Sequence, residues 1–313
     1  MELHMVHESF HSCEEDIAAS LAASLNRAWA LMYCHAWGFE YSNKGGTIGE
    51  KLHEGENDFF NNLRRYHGIE IKDQGVFPKD RVGAFLSQNE SEHPVIVYID
   101  DLHCPWGQPE TIINRAHPVL IRGACDSGWS CMDPYLSMEH AILTLECIPE
   151  SGSKVCTVNI SDVHFETSFF KSQIIDASKN ISSKESEADM LYTDMNGLES
   201  LEEEIVLYNG RVRSDLLDRF TYLSRRRKQY AKYVIYLGES MMQFNYIATL
   251  FYDLSDSWQM VYKKLMKTFC MSSWNDAKIS LLELLKRTLQ KEMSLAKYIL
   301  ENGLCETDAL LHR

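Results

Sequence analysis

Residues 116–135 read AHPVLIRGACDSGWSCMDPY. Two runs rich in apolar residues, 117–123 and 129–132, flank Cys125-Asp126-Ser127-Gly128. Asp and Gly favour a turn there, so the stretch predicts a β-hairpin, and Asp133-Pro134 ends its second strand. Such a hairpin brings His117, at the start of one strand, back toward Asp133, at the end of the next. An imidazole beside a carboxylate is an oriented general base, and it lacks only a nucleophile.

The nucleophile is sought nearer the N-terminus, in HMVHESFHSCEED, residues 4–16. Ser12-Cys13-Glu14-Glu15 has the form of a capping box. DIAASLAASLNRAWALMY follows, with Ile17, Leu21, Leu25 and Ala28 at three- to four-residue steps. A helix is therefore predicted with Ser12 as N-cap and Cys13 as its first residue. A thiol there faces unpaired N–H groups and the positive end of the helix dipole, which stabilise a thiolate. The bland alternative is a small residue that merely opens a helix.

The same stretch holds His7-Glu8-Ser9-Phe10-His11, the H-E-x-x-H pattern of zinc peptidases. That chemistry needs both histidines on one face of one helix. Here they precede the predicted helix, and no third ligand follows at a familiar spacing. A zinc hydrolase is the weakest of the readings, and no metal is expected.

With 313 residues, the chain suits two domains. A net charge of −14 disfavours nonspecific binding to nucleic acid or an anionic membrane. No run of apolar residues is long enough to span a bilayer. The first residues, with Glu2, His4, His7 and Glu8, are unlike a signal peptide, so a cytoplasmic protein is expected. The nine cysteines are irregularly spaced with no Cys-x-x-Cys pair, which suits reduced thiols, most of them buried.

Elsewhere, PVIVYIDDLHCPW, residues 94–106, predicts a buried strand over 94–99 and then a Pro-Trp turn. Asp100 and His11 sit on segments expected to approach the hairpin. Asp100 is either a site residue or a cap for the turn, and His11 is read as a packed loop histidine. Cys104 is read as structural. GENDFFNNLRRYHG and KDRVGAFLSQNE predict helices, and KVCTVNISDVHF another strand. DASKNISSKESEAD, residues 176–189, has the polar composition of a linker. Residues 190–313 contain no proline and carry helical spacing throughout, with Gly238 and Gly303 as helix stops. The expected division is thus 1–175, a linker over 176–189, and a helical domain over 190–313.

FHSCEEDIAASL, PVIVYIDDLHCPW and HPVLIRGACDSGWSCMDPY, in that order, resemble the N-terminal domain of butirosin biosynthesis protein H. They also resemble related cysteine-peptidase-like proteins found beside nonribosomal peptide and polyketide clusters and, more distantly, the bacteriocin-processing cysteine peptidases. The resemblance covers about residues 5 to 140. It implies an α+β, papain-like fold, in which a helix carrying the nucleophile packs on an antiparallel sheet, followed by an all-helical C-terminal domain. It also implies a triad of Cys13, His117 and Asp133. The bacteriocin-processing relatives carry a glutamine ahead of the cysteine that helps the oxyanion hole; His7 stands there in this chain, and an imidazole N–H can donate to an oxyanion.

The resulting expectation is acyl transfer in secondary metabolism. Cys13 would attack a thioester on an acyl or peptidyl carrier protein, and a small-molecule amine would accept the acyl group as an amide. No cofactor is expected beyond the carrier's phosphopantetheine arm. A thioesterase or peptidase would use water instead, and a non-catalytic carrier- or metabolite-binding protein is the rival from another class. Carrier proteins are acidic, so the run Arg225, Arg226, Arg227, Lys228 and Lys232 is the candidate docking patch; its alternative is a solvated helix face.

Overall fold

The computed structural model describes residues 2–55, 57–89, 94–100, 104–107, 116–163, 167–208, 211–238, 242–271 and 274–302. Residues 101–103 of the 94–106 motif, and Gly303, lie outside the described residues. In chain order the elements begin with α1 (Cys13–Ser24), β1 (Glu40–Tyr41), α2 (Ile48–Lys51), β2 (Leu52–His53), α3 (Phe59–His67) and β3 (Ile69–Phe77). Then come α4 (Lys79–Gln88), β4 (Val95–Asp100), β5 (Ala116–Cys125), β6 (Gly128–Asp133), β7 (Met138–Leu143) and β8 (Ser153–Ile160). The chain continues with α5 (Thr167–Ser182), α6 (Glu185–Gly197), β9 (Val206–Tyr208), β10 (Arg211–Arg213), α7 (Asp215–Leu237), α8 (Met242–Met271) and α9 (Trp274–Asn302). The fold is α+β, with a six-stranded antiparallel sheet and a C-terminal helical region. Among the described residues no helix is long and apolar enough to cross a membrane.

The chain divides into two compact units, and the division departs from the expected one. The first unit comprises Met1–Met32 and Asp58–Phe165; the second comprises Tyr33–Asn57 and Glu166–Arg313. Residues 33–57 thus belong with the helical region, although they sit inside the N-terminal half of the sequence.

In the first unit the sheet order is β3-β8-β4-β5-β6-β7. Alternation along the strands sorts the side chains onto two faces. Val95, Val97 and Ile99 join Val119, Ile121, Cys131 and Val155 on one face, packed with Val82 and Leu86 of α4. Ile96, Leu120 and Met132 have the opposite parity and are also buried. On that second face Tyr98 donates a hydrogen bond to Glu14 of α1 (2.8 Å). α1 is buried on nearly every side from Glu15 to Ala22, which accounts for its small residues.

β3 and β7 escaped the sequence reading. Both are edge strands, and only Ile69 and Phe77 of the nine β3 residues are buried, so apolar alternation is weak. A register shift between Asp73 and Val76 breaks β3 further, with Gly75 at φ 91°.

In the second unit, residues 176–182 lie in α5 and residues 185–189 in α6, so the stretch forms no linker. The serines that suggested a linker turn back onto their own helix: Ser178 Oγ donates to Ile174 O (2.8 Å) and Ser182 Oγ to Lys179 O (2.9 Å). Buried Phe170, Ile174 and Ile181 mark one face of α5, and Ala188, Leu191 and Met195 one face of α6. Nor is the region after residue 190 helical throughout, since β9 and β10 pair as a short hairpin. α7, α8 and α9 follow as expected.

Candidate active site

Every residue of the candidate triad lies in the first unit. Ser12 caps α1 as expected. Its hydroxyl accepts from the Glu15 N–H (3.3 Å), and the Glu15 carboxylate accepts from the Ser12 N–H (2.8 Å). Cys13 is the first helical residue and is partly exposed.

The hairpin forms with a two-residue turn at Asp126-Ser127, since Cys125 pairs with Gly128. Gly128 is required there: its φ is 146°, and an added Cβ would lie 2.3 Å from Leu143 O. The register pairs Leu120 with Met132 and Ile121 with Cys131, so His117 and Asp133 are diagonal neighbours on one face. His117 Nε2 lies 2.7 Å from Asp133 Oδ2. The other ring nitrogen, Nδ1, is left for the hydrogen bond between the His117 ring and the Cys13 side chain.

Asp133 is fully buried and well supplied with donors. Trp106 Nε1 donates to Oδ2 (2.8 Å) and the Leu136 N–H to Oδ1 (3.1 Å). Burial alone would push the His117 pKa down. The hydrogen bonds to Asp133 and Cys13 and the charges of both outweigh burial and raise it to about 10. At neutral pH the ring is therefore held as an imidazolium beside the thiol group.

Two further thiols of this unit, Cys131 and Cys156, are held protonated. Burial first, then the nearby Asp133, Cys147 and Cys104, push the Cys131 thiol up to about 12. Burial likewise raises Cys156 to about 11, partly offset by Lys154. Cys104 is buried in the sheet's core cluster beside Trp106, as its structural reading implied.

The H-E-x-x-H residues are not helical. Residues 2–8 run without helical structure and antiparallel to α1, held by side chains one turn apart. The His4 N–H donates to Ser24 Oγ (2.8 Å) and the Val6 N–H to Ser20 Oγ (2.9 Å). The third clasp is Asp16. Its Oδ2 lies 2.8 Å from His7 Nδ1, its Oδ1 lies 2.7 Å from His11 Nδ1, and the Glu8 N–H donates to Oδ1 (3.3 Å). A carboxylate only accepts, so Nδ1 carries the hydrogen in both rings. Asp16 has no motif around it to mark it in the sequence. Its signal was the spacing of Asp16, Ser20 and Ser24, a polar stripe at four-residue steps through an otherwise Ala- and Leu-rich helix.

His11 is buried, edge-on to Trp29 (5.3 Å between ring centres), and is a packed histidine as read. Asp100 ends β4 opposite Ala116, one residue from His117. Tyr135, which is exposed, joins the two histidine regions: its ring centre lies 5.8 Å from that of His117 and 6.1 Å from that of His7.

The candidate docking run lies on α7 in the second unit, and one of its members is not on the surface. Arg227 is fully buried; its Nε donates to Glu292 (2.7 Å) and its Nη1 to Gly38 O (3.0 Å). Its place on the inward face of α7, beside buried Leu223, Tyr230 and Ala231, removes it from any docking patch. Arg225, Arg226, Lys228 and Lys232 are partly exposed.

No protein-family model matches the sequence, and no curated protein matches it.

Proposed function

We propose that this chain is a cysteine-dependent acyltransferase whose first unit is a papain-like catalytic domain. It would move an acyl group from the phosphopantetheine thioester of an acyl or peptidyl carrier protein to a small-molecule amine, within secondary-metabolite or antibiotic biosynthesis in the cytoplasm. The observation that carries this reading is the chain of hydrogen bonds from partly exposed Cys13 through buried His117 to buried Asp133.

In the first half-reaction the Cys13 thiolate attacks the thioester carbonyl. The Cys13 and Glu14 N–H groups, which open α1 ahead of the capped Glu15 N–H, would serve the developing oxyanion. The carbon–sulfur bond to the carrier breaks, and the imidazolium of His117 gives its proton to the leaving thiolate. In the second half-reaction a neutral amine attacks acyl-Cys13. His117 takes the amine proton, the carbon–sulfur bond to Cys13 breaks, and the amide leaves with the thiolate–imidazolium pair restored. Asp133 holds the ring orientation throughout. Arg225, Arg226, Lys228 and Lys232 supply positive charge to attract an acidic carrier.

The test is a chromogenic small thioester and the same acyl group on a carrier protein, each offered with and without an amine. Wild type should release a burst of thiol and form amide, and Cys13→Ala should do neither. Use of the carrier-borne substrate should fall more steeply with salt than use of the small thioester. Free acid in place of amide would establish a thioesterase. No thiol release from either substrate would leave a non-catalytic binding protein.

A further inference from the structure

The first unit contains a second carboxylate–imidazole pair that the triad does not use. Asp16, fully buried, holds His7 through Nδ1, and the His7 ring is about one-third exposed (35% of the side chain). Cys13 and Asp16 are three residues apart, so one face of α1 presents the nucleophile and the anchor of this second pair. Its position is fixed beyond that one contact, because the Glu8 N–H on the same carboxylate and the Val6 and Ser20 pair lock the segment on either side. Tyr135 packs against both His7 and His117, so the two rings flank one exposed aromatic.

The tautomer decides what His7 can do. In a neutral ring whose hydrogen is on Nδ1, directed at Asp16, Nε2 carries a lone pair and accepts. That form suits a base, whereas a ring protonated on both nitrogens would donate from Nε2, as the oxyanion role expected from the sequence requires.

The proton count supplies the need. An alkyl amine arrives as an ammonium ion, which has no lone pair to attack with. Forming an amide from it removes two protons from nitrogen. His117 accepts one, during attack on acyl-Cys13. The other must leave before attack, and the carrier's thiolate has already been protonated in the first half-reaction.

Resting on the acyl-transfer reading above, we propose that His7, oriented by Asp16, is the base that removes the first proton from an ammonium acceptor. Nε2 takes a proton from R–NH3+, giving R–NH2 and an imidazolium stabilised by the Asp16 carboxylate, and that proton then passes to water. Acyl-Cys13, the neutral amine and neutral His117 complete the transfer. The substrate class assigned is therefore a protonated primary amine, not water or an alcohol.

The experiment compares wild type and His7→Ala with two acceptors: an alkyl amine, protonated in neutral solution, and an alkoxyamine, already neutral there. The thiol burst, which reports acylation of Cys13, should stay within about twofold in the variant, whereas transfer to the alkyl amine should fall about 100-fold. Transfer to the alkoxyamine should change by less than about threefold, and added imidazole should restore the alkyl-amine rate. Melting curves should show both proteins fully folded at the assay temperature. Equal losses with the two acceptors, no loss with either, or a variant that has lost the burst would overturn the assignment of His7. Absence of a burst in wild type itself would instead remove the acyl-transfer reading, and this inference with it.

Discussion

Two buried ion pairs, one in each unit, use similar chemistry to opposite ends. In the helical unit Glu292 accepts from Arg227 Nε (2.7 Å), Trp37 Nε1 (2.8 Å) and Trp258 Nε1 (2.7 Å), and Arg227 also reaches Gly38 O. Both charged side chains are wholly buried, and their donors and acceptors turn inward. In the sheet unit Asp133 and His117 are nearly as buried, but their chain ends at the partly exposed Cys13. The closed pair holds helices together, whereas the open one ends on a thiol at the surface. Burial of a charge therefore says little about role until the far end of its network is traced.

The comparison breaks first at Arg227. Removing one partner from a buried pair leaves an uncompensated charge, so Arg227→Met should cost about 3–5 kcal/mol of unfolding free energy by urea titration. Turnover per folded molecule should be kept. A variant as stable as wild type but poor with carrier-borne substrate would restore Arg227 to the docking patch.

Asp133→Asn makes the complementary test. It keeps the shape of the site while removing the charge that raises His117. Turnover should fall about 100-fold, less than for Cys13→Ala, with the largest loss at alkaline pH, where the weakened imidazolium deprotonates first. An unchanged rate would mean that the open chain is as structural as the closed one.

The smallest effect sharpens the contrast within the sheet unit. His67 is fully buried, and neither ring nitrogen has a hydrogen-bond partner among the described residues. Burial first, and then the nearby Arg27, lower its pKa from 6.5 to about 4. The folded state therefore binds fewer protons than the unfolded state between those values, and the stability tied to neutral His67 is present above 6.5 and lost as pH falls toward 4. His117 runs the other way: its contribution is full below 6.5 and is lost as pH rises through about 10. His67→Met should flatten the acid limb, removing about 2 kcal/mol of the decline between pH 7 and pH 5. Urea midpoints at the two pH values measure it, and a limb as steep as that of wild type would place the acid sensitivity elsewhere.

Local rules made much of this legible. Capping chemistry located the start of α1 to the residue, and turn chemistry located the β5–β6 hairpin, so Cys13, His117 and Asp133 could be named before any coordinates. The long C-terminal helices announced themselves by period. Three kinds of information were missing. Edge strands such as β3 bury too little to leave a pattern. Serines in α5 satisfy themselves within the helix and so imitate a linker. The inward turn of Arg227 depends on Glu292, which is 65 residues away in sequence and carries no local sign. His7 was found by its residue type, but its pairing with Asp16, nine residues on, was not legible in the sequence.

The path of the chain has a consequence for synthesis. Residues 33–57 are made well before α9 of the same unit, and the Trp37–Glu292 hydrogen bond spans 255 residues. On the ribosome, Trp37 and Phe39 therefore emerge long before the partners that bury them, and contacts of such separation form slowly. Cutting the gene after the sheet would leave these aromatics permanently without cover. Through that interval the segment carries apolar side chains whose buried places do not yet exist.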